Sequence, residues 1–145
     1  MAVSIRHAGP GDEPAILHFV EELVQTSGSR VRPDEHQVRR YLATAETTIL
    51  LAADERAVVG MLSYSTRPAL LFPGSTGEIE SLVVRADRRG EGIGKKLLRT
   101  GLRLMQDAGC VEISTSVAPE NTRGQHLFFD HGLSDASVRL ATHRR

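Results

Sequence analysis

The sequence lacks the means for an internal covalent cross-link, because Cys110 is its only cysteine. An intramolecular disulfide is therefore excluded, and nothing indicates an oxidising compartment. The N-terminal stretch MAVSIRHAGP has neither the apolar region nor the cleavage site of a signal peptide. No apolar run approaches the roughly 20 residues that span a bilayer. We therefore expect a cytoplasmic protein that has no membrane partner.

Several functional motifs are absent as well. No H-E-x-x-H motif and no paired Cys/His spacing is present, so we expect no metal site. No G-x-S-x-G motif is present, which argues against a serine hydrolase. The 18 basic and 18 acidic residues balance to a net charge of zero. This balance argues against a general nucleic-acid-binding protein, and we expect no nucleic-acid partner.

The chain length and its hydrophobic periodicity predict one α/β domain over residues 1–145. The first strands should be antiparallel and the later β-α-β unit parallel, which gives a central mixed sheet flanked by helices. Imperfect alternation around Glu80 suggests a β-bulge. The predicted order is β-α-α-β-β-β-α-β-α-β: a strand at 3–7, helices within 9–28 and 33–46, strands at 47–53, 57–66 and 78–84, a helix from about 94, a strand at 110–117, a helix within 120–132 and a last strand at 136–142.

One segment combines glycine with positive charge. Residues 88–96 read RRGEGIGKK and lie between an apolar strand and a helix, and residues 85–103 contain seven basic and two acidic side chains. Backbone amides at a helix N-terminus bind anions, and glycines let a ligand approach the backbone closely. The segment therefore predicts a phosphate site, although a solvated helix face is the simpler alternative.

Two common phosphate-binding motifs do not fit this segment. Arg89 and Lys96 stand where a Walker loop needs glycine and then serine or threonine. Lys95 or Leu97 stands where a dinucleotide fingerprint needs its third glycine. The pattern that remains is R-x-x-G-x-G at residues 89–94.

This loop, following IESLVV, resembles the pyrophosphate loop of the GCN5-related N-acetyltransferases. The resemblance covers nearly the whole chain and includes the N…FY…GF signature, which here is Asn121, Phe128-Phe129 and Gly132-Leu133. It implies acetyl-CoA as co-substrate, without a metal, in a V-shaped opening between the strand ending near Val84 and the next strand. The resemblance assigns Leu82, Val83 and Val84 to the pantetheine arm of acetyl-CoA. It assigns the residues around the pyrophosphate as Arg88, Arg89, Gly90, Glu91, Gly92, Ile93, Gly94 and Lys95. It also assigns Asn121 and Phe129 to the acetyl-CoA site.

Acetyl transfer to an amine requires that a proton be removed from the nitrogen. Glu78 and Glu80 alternate on the predicted strand, so they should share a face, and the family often has its base on this strand. We favour Glu80 as the base because it is closer to the thioester end, while the alternative is that one or both glutamates only face solvent. A backbone N–H near Leu82 or Val83 could stabilise the developing oxyanion.

Phe129 departs from the family pattern, in which a tyrosine often protonates the leaving thiolate. Phenylalanine cannot donate a proton, and Tyr41 and Tyr64 are the only tyrosines. Water, Tyr64 or another group could substitute, the thiolate could leave without an acid, or catalysis could be lost.

We therefore predict an acetyl-CoA-dependent N-acetyltransferase that acts on the primary amine of a small molecule. The alternatives are a protein or peptide N-acetyltransferase and a non-catalytic acyl-CoA-binding module. The segments 25–33 and 67–77 should shape the acceptor site, and Glu21 and Glu22 could attract a cationic amine. The family also allows a homodimer in which the last strand pairs between chains.

Overall fold

The computed structural model describes residues 2–28 and 32–142. Part of the segment 25–33, expected to shape the acceptor site, lies outside the described residues. Within them, five strands form one sheet whose spatial order follows the chain. The first four are antiparallel neighbours and the last pair is parallel, as predicted. The strands are β1 (Ser4–His7), β2 (Thr47–Ala53), β3 (Val58–Pro68), β4 (Ser75–Val84) and β5 (Cys110–Thr115).

Helices cover both faces of the sheet, which confirms the predicted α/β class. They are α1 (Glu13–Ser27), α2 (Glu35–Ala43), α3 (Ile93–Asp107) and α4 (Thr122–Phe129). Ile16 and Phe19 of α1 and Val38 of α2 pack with Met61 in one hydrophobic cluster. The residues of α3 and α4 that pack against the other face include Leu97, Leu98, Met105 and Phe128.

An aspartate precedes each of the first two helices, and the two carboxylates act differently. The Asp34 carboxylate accepts a hydrogen bond from the Gln37 amide at 2.9 Å and so caps α2. The Asp12 carboxylate does not cap α1; it accepts from the Gly9 amide at 2.8 Å and pairs with Arg6 at 2.8 Å. That ion pair ties the end of β1 to the start of α1.

Helix α3 lies very close to the sheet at Gly101. A methyl group built there would lie 3.1 Å from the Leu62 side chain, closer than normal van der Waals contact. Gly101 therefore lets α3 approach the sheet, and this approach compensates for the low helix propensity of glycine.

The structure corrects the predicted strand ends. Pairing between β3 and β4 extends out to Pro68 and Ser75, so the connecting loop is 69–74 rather than 67–77. The predicted order holds from β1 to α4, but the last predicted strand is absent: residues 136–142 form neither a helix nor a strand. Val138 is 86% and Leu140 90% exposed there. A strand pattern needs a neighbouring strand to pair with, and this segment has none among the described residues.

Candidate active site

β4 and β5 pair along only half of β4. Their register ends where Ile79 faces Thr115, and the Thr115 hydroxyl donates to the Ile79 carbonyl at 3.0 Å. Beyond this point, residues 81–84 of β4 pair with β3 alone among the described strands. The backbone on the β5 side of this stretch therefore forms an open edge inside the sheet, which is the V-shaped opening that the sequence led us to expect.

A β-bulge lies at the start of the open edge. Ser63 pairs with Ser81 and the next residue, Tyr64, pairs with Ile79, so Glu80 is the extra residue on β4. The Ser63 and Ser81 hydroxyls are 2.5 Å apart and hydrogen-bonded across the strands. The suspected irregularity is thus real, and it places the exposed Glu80 at the point where β4 and β5 separate.

The two predicted bases have different surroundings. A Glu78 carboxylate oxygen accepts a hydrogen bond from Arg139 at 2.9 Å, and the same guanidinium nitrogen donates to the Ser116 hydroxyl at 3.0 Å. Glu80 forms no ion pair with the part of the chain that is described. Because Glu78 is already engaged by a cation, Glu80 is the carboxylate that is more available for proton transfer.

Tyr41 is a residue of this site that the sequence did not predict. From α2, its hydroxyl donates to the carbonyl of Tyr64 at 3.2 Å, next to the bulge. Burial raises the pKa of Tyr41, and the charge of Glu80 raises it further. Tyr64 is only 6% exposed and packs in the cluster on the α3 face. The sequence contained one signal for Tyr41: it follows the buried Val38 by three residues, so the two side chains lie on the same face of α2.

The glycine-rich loop ends at the N-terminus of α3, as predicted. Gly90 and Gly92 have φ angles of 83° and 80°, and Gly92 is the residue before the first helical turn. A methyl group built on either glycine would meet no heavy atom within 4 Å. The first amides of α3 have no partner inside the helix. This end of the open edge therefore offers uncovered backbone donors with space in front of them.

Cations surround this helix end, but they are not equivalent. A groove of about 410 Å³ beside α3 is lined by Gly92, Lys95, Lys96, Arg99, Thr100 and Arg103. The Lys96 ammonium donates to the carbonyl of Val3. Arg89 is exposed and donates to the carbonyl of Val84 at 3.3 Å. Arg88 is mostly covered and bonds to two carboxylates, Asp54 and Glu91. Of the two arginines expected near a phosphate, Arg89 is the accessible one.

The two predicted residues of the last helix lie at its ends. The Asn121 side-chain oxygen accepts from the Gly124 amide at 2.9 Å and so caps α4. Phe129 lies at the end of α4 and is 47% exposed, while the preceding Phe128 is buried in the core.

In residues 2–28 and 32–142, no helix is both long and apolar enough to cross a membrane. Among the same residues, no three His, Cys, Asp or Glu side chains are grouped so that they could hold a metal ion.

Comparison with known sequences gives a family match over most of the chain. The model of the Acetyltransferase (GNAT) family matches residues 17–132. Thialysine N-epsilon-acetyltransferase from Bos taurus is 29% identical over 157 residues, and the alignment covers 97% of this chain and 89% of that protein.

Comparison with solved structures gives similar folds. AAC(6')-Iy in complex with the bisubstrate analogue CoA-S-monomethyl-acetylneamine has a TM-score of 0.82 at 18% identity, covering 100% of this chain and 99% of that chain. Ribosomal-protein-alanine N-acetyltransferase from Brucella melitensis biovar Abortus 2308 has a TM-score of 0.81 at 18% identity, covering 100% of both chains. At these identities the likeness shows a shared fold.

Proposed function

Because the chain belongs to the acetyltransferase (GNAT) family, we propose that it transfers the acetyl group of acetyl-CoA to the primary amine of a small molecule. Acetyl transfer to an amine is the activity that the family membership and the named relatives support. The observation that carries the proposal is the open edge at residues 81–84, which leads to uncovered amides at the N-terminus of α3.

The chain's own groups fit acetyl-CoA along this path. The free backbone of Leu82, Val83 and Val84 would bind the pantetheine arm as an added strand. The amides of residues 90–95 would bind the diphosphate, since helix dipole and unpaired donors both favour an anion there. Arg89 would add a positive charge that solvent can reach.

Bound acetyl-CoA would supply the acetyl group as an activated thioester. In our proposal Glu80 accepts the proton that the acceptor ammonium must lose, directly or through one water molecule. Its exposure at the bulge and its lack of an ion pair within the described chain support this role. Phe129 supplies no proton, so the proposed reaction assigns no protein acid to that position.

An unpaired carboxylate on α1, which we propose faces the acceptor, supports a cationic small amine. The Glu22 side chain of α1 has a buried carboxylate oxygen with no hydrogen-bond partner among the described residues. A buried, unpaired carboxylate oxygen is costly, and an ammonium group would satisfy it. The thialysine enzyme and the neamine-derived analogue of AAC(6')-Iy point to small amines in those two proteins.

A free-thiol assay tests the proposal directly. Coenzyme A binding is first measured by calorimetry, and the protein is then mixed with acetyl-CoA and either a panel of small diamines and aminosugars or a panel of peptides. We expect thiol release with small amines. Turnover with peptides alone would shift the proposal to a protein acceptor, as in the ribosomal-protein-alanine enzyme. Binding without any turnover would instead support the non-catalytic alternative.

We also propose that the protein forms a homodimer. It is supported by the outer edge of β5, which pairs with no other strand in residues 2–28 and 32–142, and by the exposed apolar residues Val111, Val138 and Leu140. An exposed edge strand tends to pair with another chain. Light scattering should give twice the chain mass of 15.8 kDa, and a monomer at micromolar concentration would contradict the dimer.

A further inference from the structure

We propose that Asp54 is a positioning residue: through Arg88 it holds the glycine-rich loop in the geometry that binds a diphosphate. The inference rests on the proposed binding of acetyl-CoA at this loop. Asp54 lies in the turn between β2 and β3, and its contact with Arg88 spans 34 residues of sequence.

The two carboxylate oxygens of Asp54 have separate partners. One oxygen accepts hydrogen bonds from the backbone amides of Arg56 and Ala57, at 2.8 and 2.9 Å, and so closes the turn. The other oxygen accepts from an Arg88 guanidinium nitrogen at 2.7 Å. The first oxygen therefore stabilises the turn, while the second connects the turn to the loop.

Arg88 continues this connection into the loop itself. Its Nε donates to both carboxylate oxygens of Glu91, at 2.9 and 3.2 Å. Glu91 lies between Gly90 and Gly92, the two glycines of this loop that have positive φ. One guanidinium thus joins a rigid hairpin to the middle of the segment whose amides would face the ligand.

Other side-chain contacts of the loop are local. Arg85 pairs with Asp87, two residues away, at 2.6 Å, and this pair is exposed. Within the described segment 85–92, Arg89 donates to Val84 in the adjoining β4, and the Arg88–Asp54 bond is the side-chain hydrogen bond that reaches beyond β4. Fixing the backbone of a flexible segment costs conformational entropy, so a loop that is ordered before binding binds its ligand more tightly.

The connection is shielded from solvent. The Asp54 side chain is 2% exposed and that of Arg88 is 17% exposed, so added salt should screen the pair only weakly. The hydrogen bond from Arg88, followed by those from the turn amides, holds the pKa of Asp54 well below its usual range. Asp54 is therefore charged at any pH at which the enzyme would be assayed.

Asp54→Asn separates the two functions of the side chain. The asparagine oxygen can still accept from the turn amides, but its NH2 group cannot accept from Arg88. Asp87→Asn is the matched control, because it removes the exposed local pair of the same loop. Affinity is measured by calorimetry for coenzyme A and for pantetheine, which lacks the diphosphate. Hydrogen exchange of the amides of residues 89–93 is followed without ligand.

We expect Asp54→Asn to raise the dissociation constant for coenzyme A about tenfold, a loss of about 1.4 kcal/mol, and to leave that for pantetheine unchanged. Exchange of the loop amides should be faster in this variant, and Asp87→Asn should stay close to wild type in all three measurements. Equal binding and equal exchange in Asp54→Asn and wild type would refute the inference alone. A wild-type protein that does not bind coenzyme A would instead refute the proposed function.

Arg88→Gln is the second variant, and it keeps the turn contacts of Asp54. It should weaken coenzyme A binding as much as Asp54→Asn does, and the double variant should be no weaker than either single variant. If Arg88→Gln weakens coenzyme A binding but Asp54→Asn does not, Arg88 acts by touching the ligand and the inference fails. If Asp54→Asn does not fold, Arg88→Gln tests the inference by itself: its amides at residues 89–93 must exchange faster than those of wild type, and unchanged exchange would refute the inference.

Discussion

Replacing Gly92 with valine should weaken coenzyme A binding while the protein stays folded. Gly92 has φ 80° and ψ 13°, in the left-handed region, where a residue with a side chain costs about 1–2 kcal/mol. The space beside it is open, so valine meets no clash in the free protein. Its methyl groups would occupy the space in front of the amides that we propose bind the diphosphate. We therefore expect the dissociation constant to rise at least about tenfold, or about 1.4 kcal/mol.

Gly28→Val is the matched control for backbone strain. Gly28 has φ 72° and ψ 10°, ends α1, and also has open space beside it. Both variants should lose about 1–2 kcal/mol of unfolding free energy in urea titrations, but only Gly92→Val should lose affinity in calorimetry. Unchanged affinity in folded Gly92→Val, or an equal loss in Gly28→Val, would falsify the assignment of this loop to the diphosphate.

Three further predictions concern the base, the tyrosine and the core. Glu80→Gln should lower kcat about 10²-fold or more, because the base is removed, while Glu78→Gln should change kcat much less; equal losses in the thiol assay would contradict our choice of base. The raised pKa of Tyr41 means that its contribution to stability is complete below pH about 10 and is lost as the pH rises above it. Urea titrations should therefore show wild type losing stability relative to Tyr41→Phe above that pH, and a constant difference would contradict the sign. Gly101→Val should cost about 1–3 kcal/mol, because its side chain would crowd Leu62, so an unchanged urea midpoint would contradict the close packing of α3.

Local sequence patterns were enough to predict most of the fold. The bounds of β2 were predicted without error, and the helix predicted from about residue 94 is α3, which begins at Ile93. The irregular alternation around Glu80 marked a real bulge. These features depend on neighbours in the chain, whose preferences are visible in the sequence itself.

Features that depend on distant partners could not be predicted. The hydroxyl of Tyr41 meets a carbonyl 23 residues away, and Asp54 meets Arg88 across 34 residues. The segment 136–142 has a strand-like sequence, but pairing is decided by which strands lie beside it, and Arg139 instead contacts Glu78. A residue's type shows what it could bind, whereas the fold decides which partner is within reach.

The turn between β2 and β3 also bears on how the chain folds. Only residues 54–57 separate these antiparallel strands, whereas the two helices α1 and α2 lie between β1 and its partner β2. Short loops close faster than long ones, so the β2–β3 hairpin should be among the earliest contacts to form. The hairpin that carries Asp54 also precedes residues 88–92 in the chain. During synthesis it therefore leaves the ribosome before the loop that it is proposed to hold.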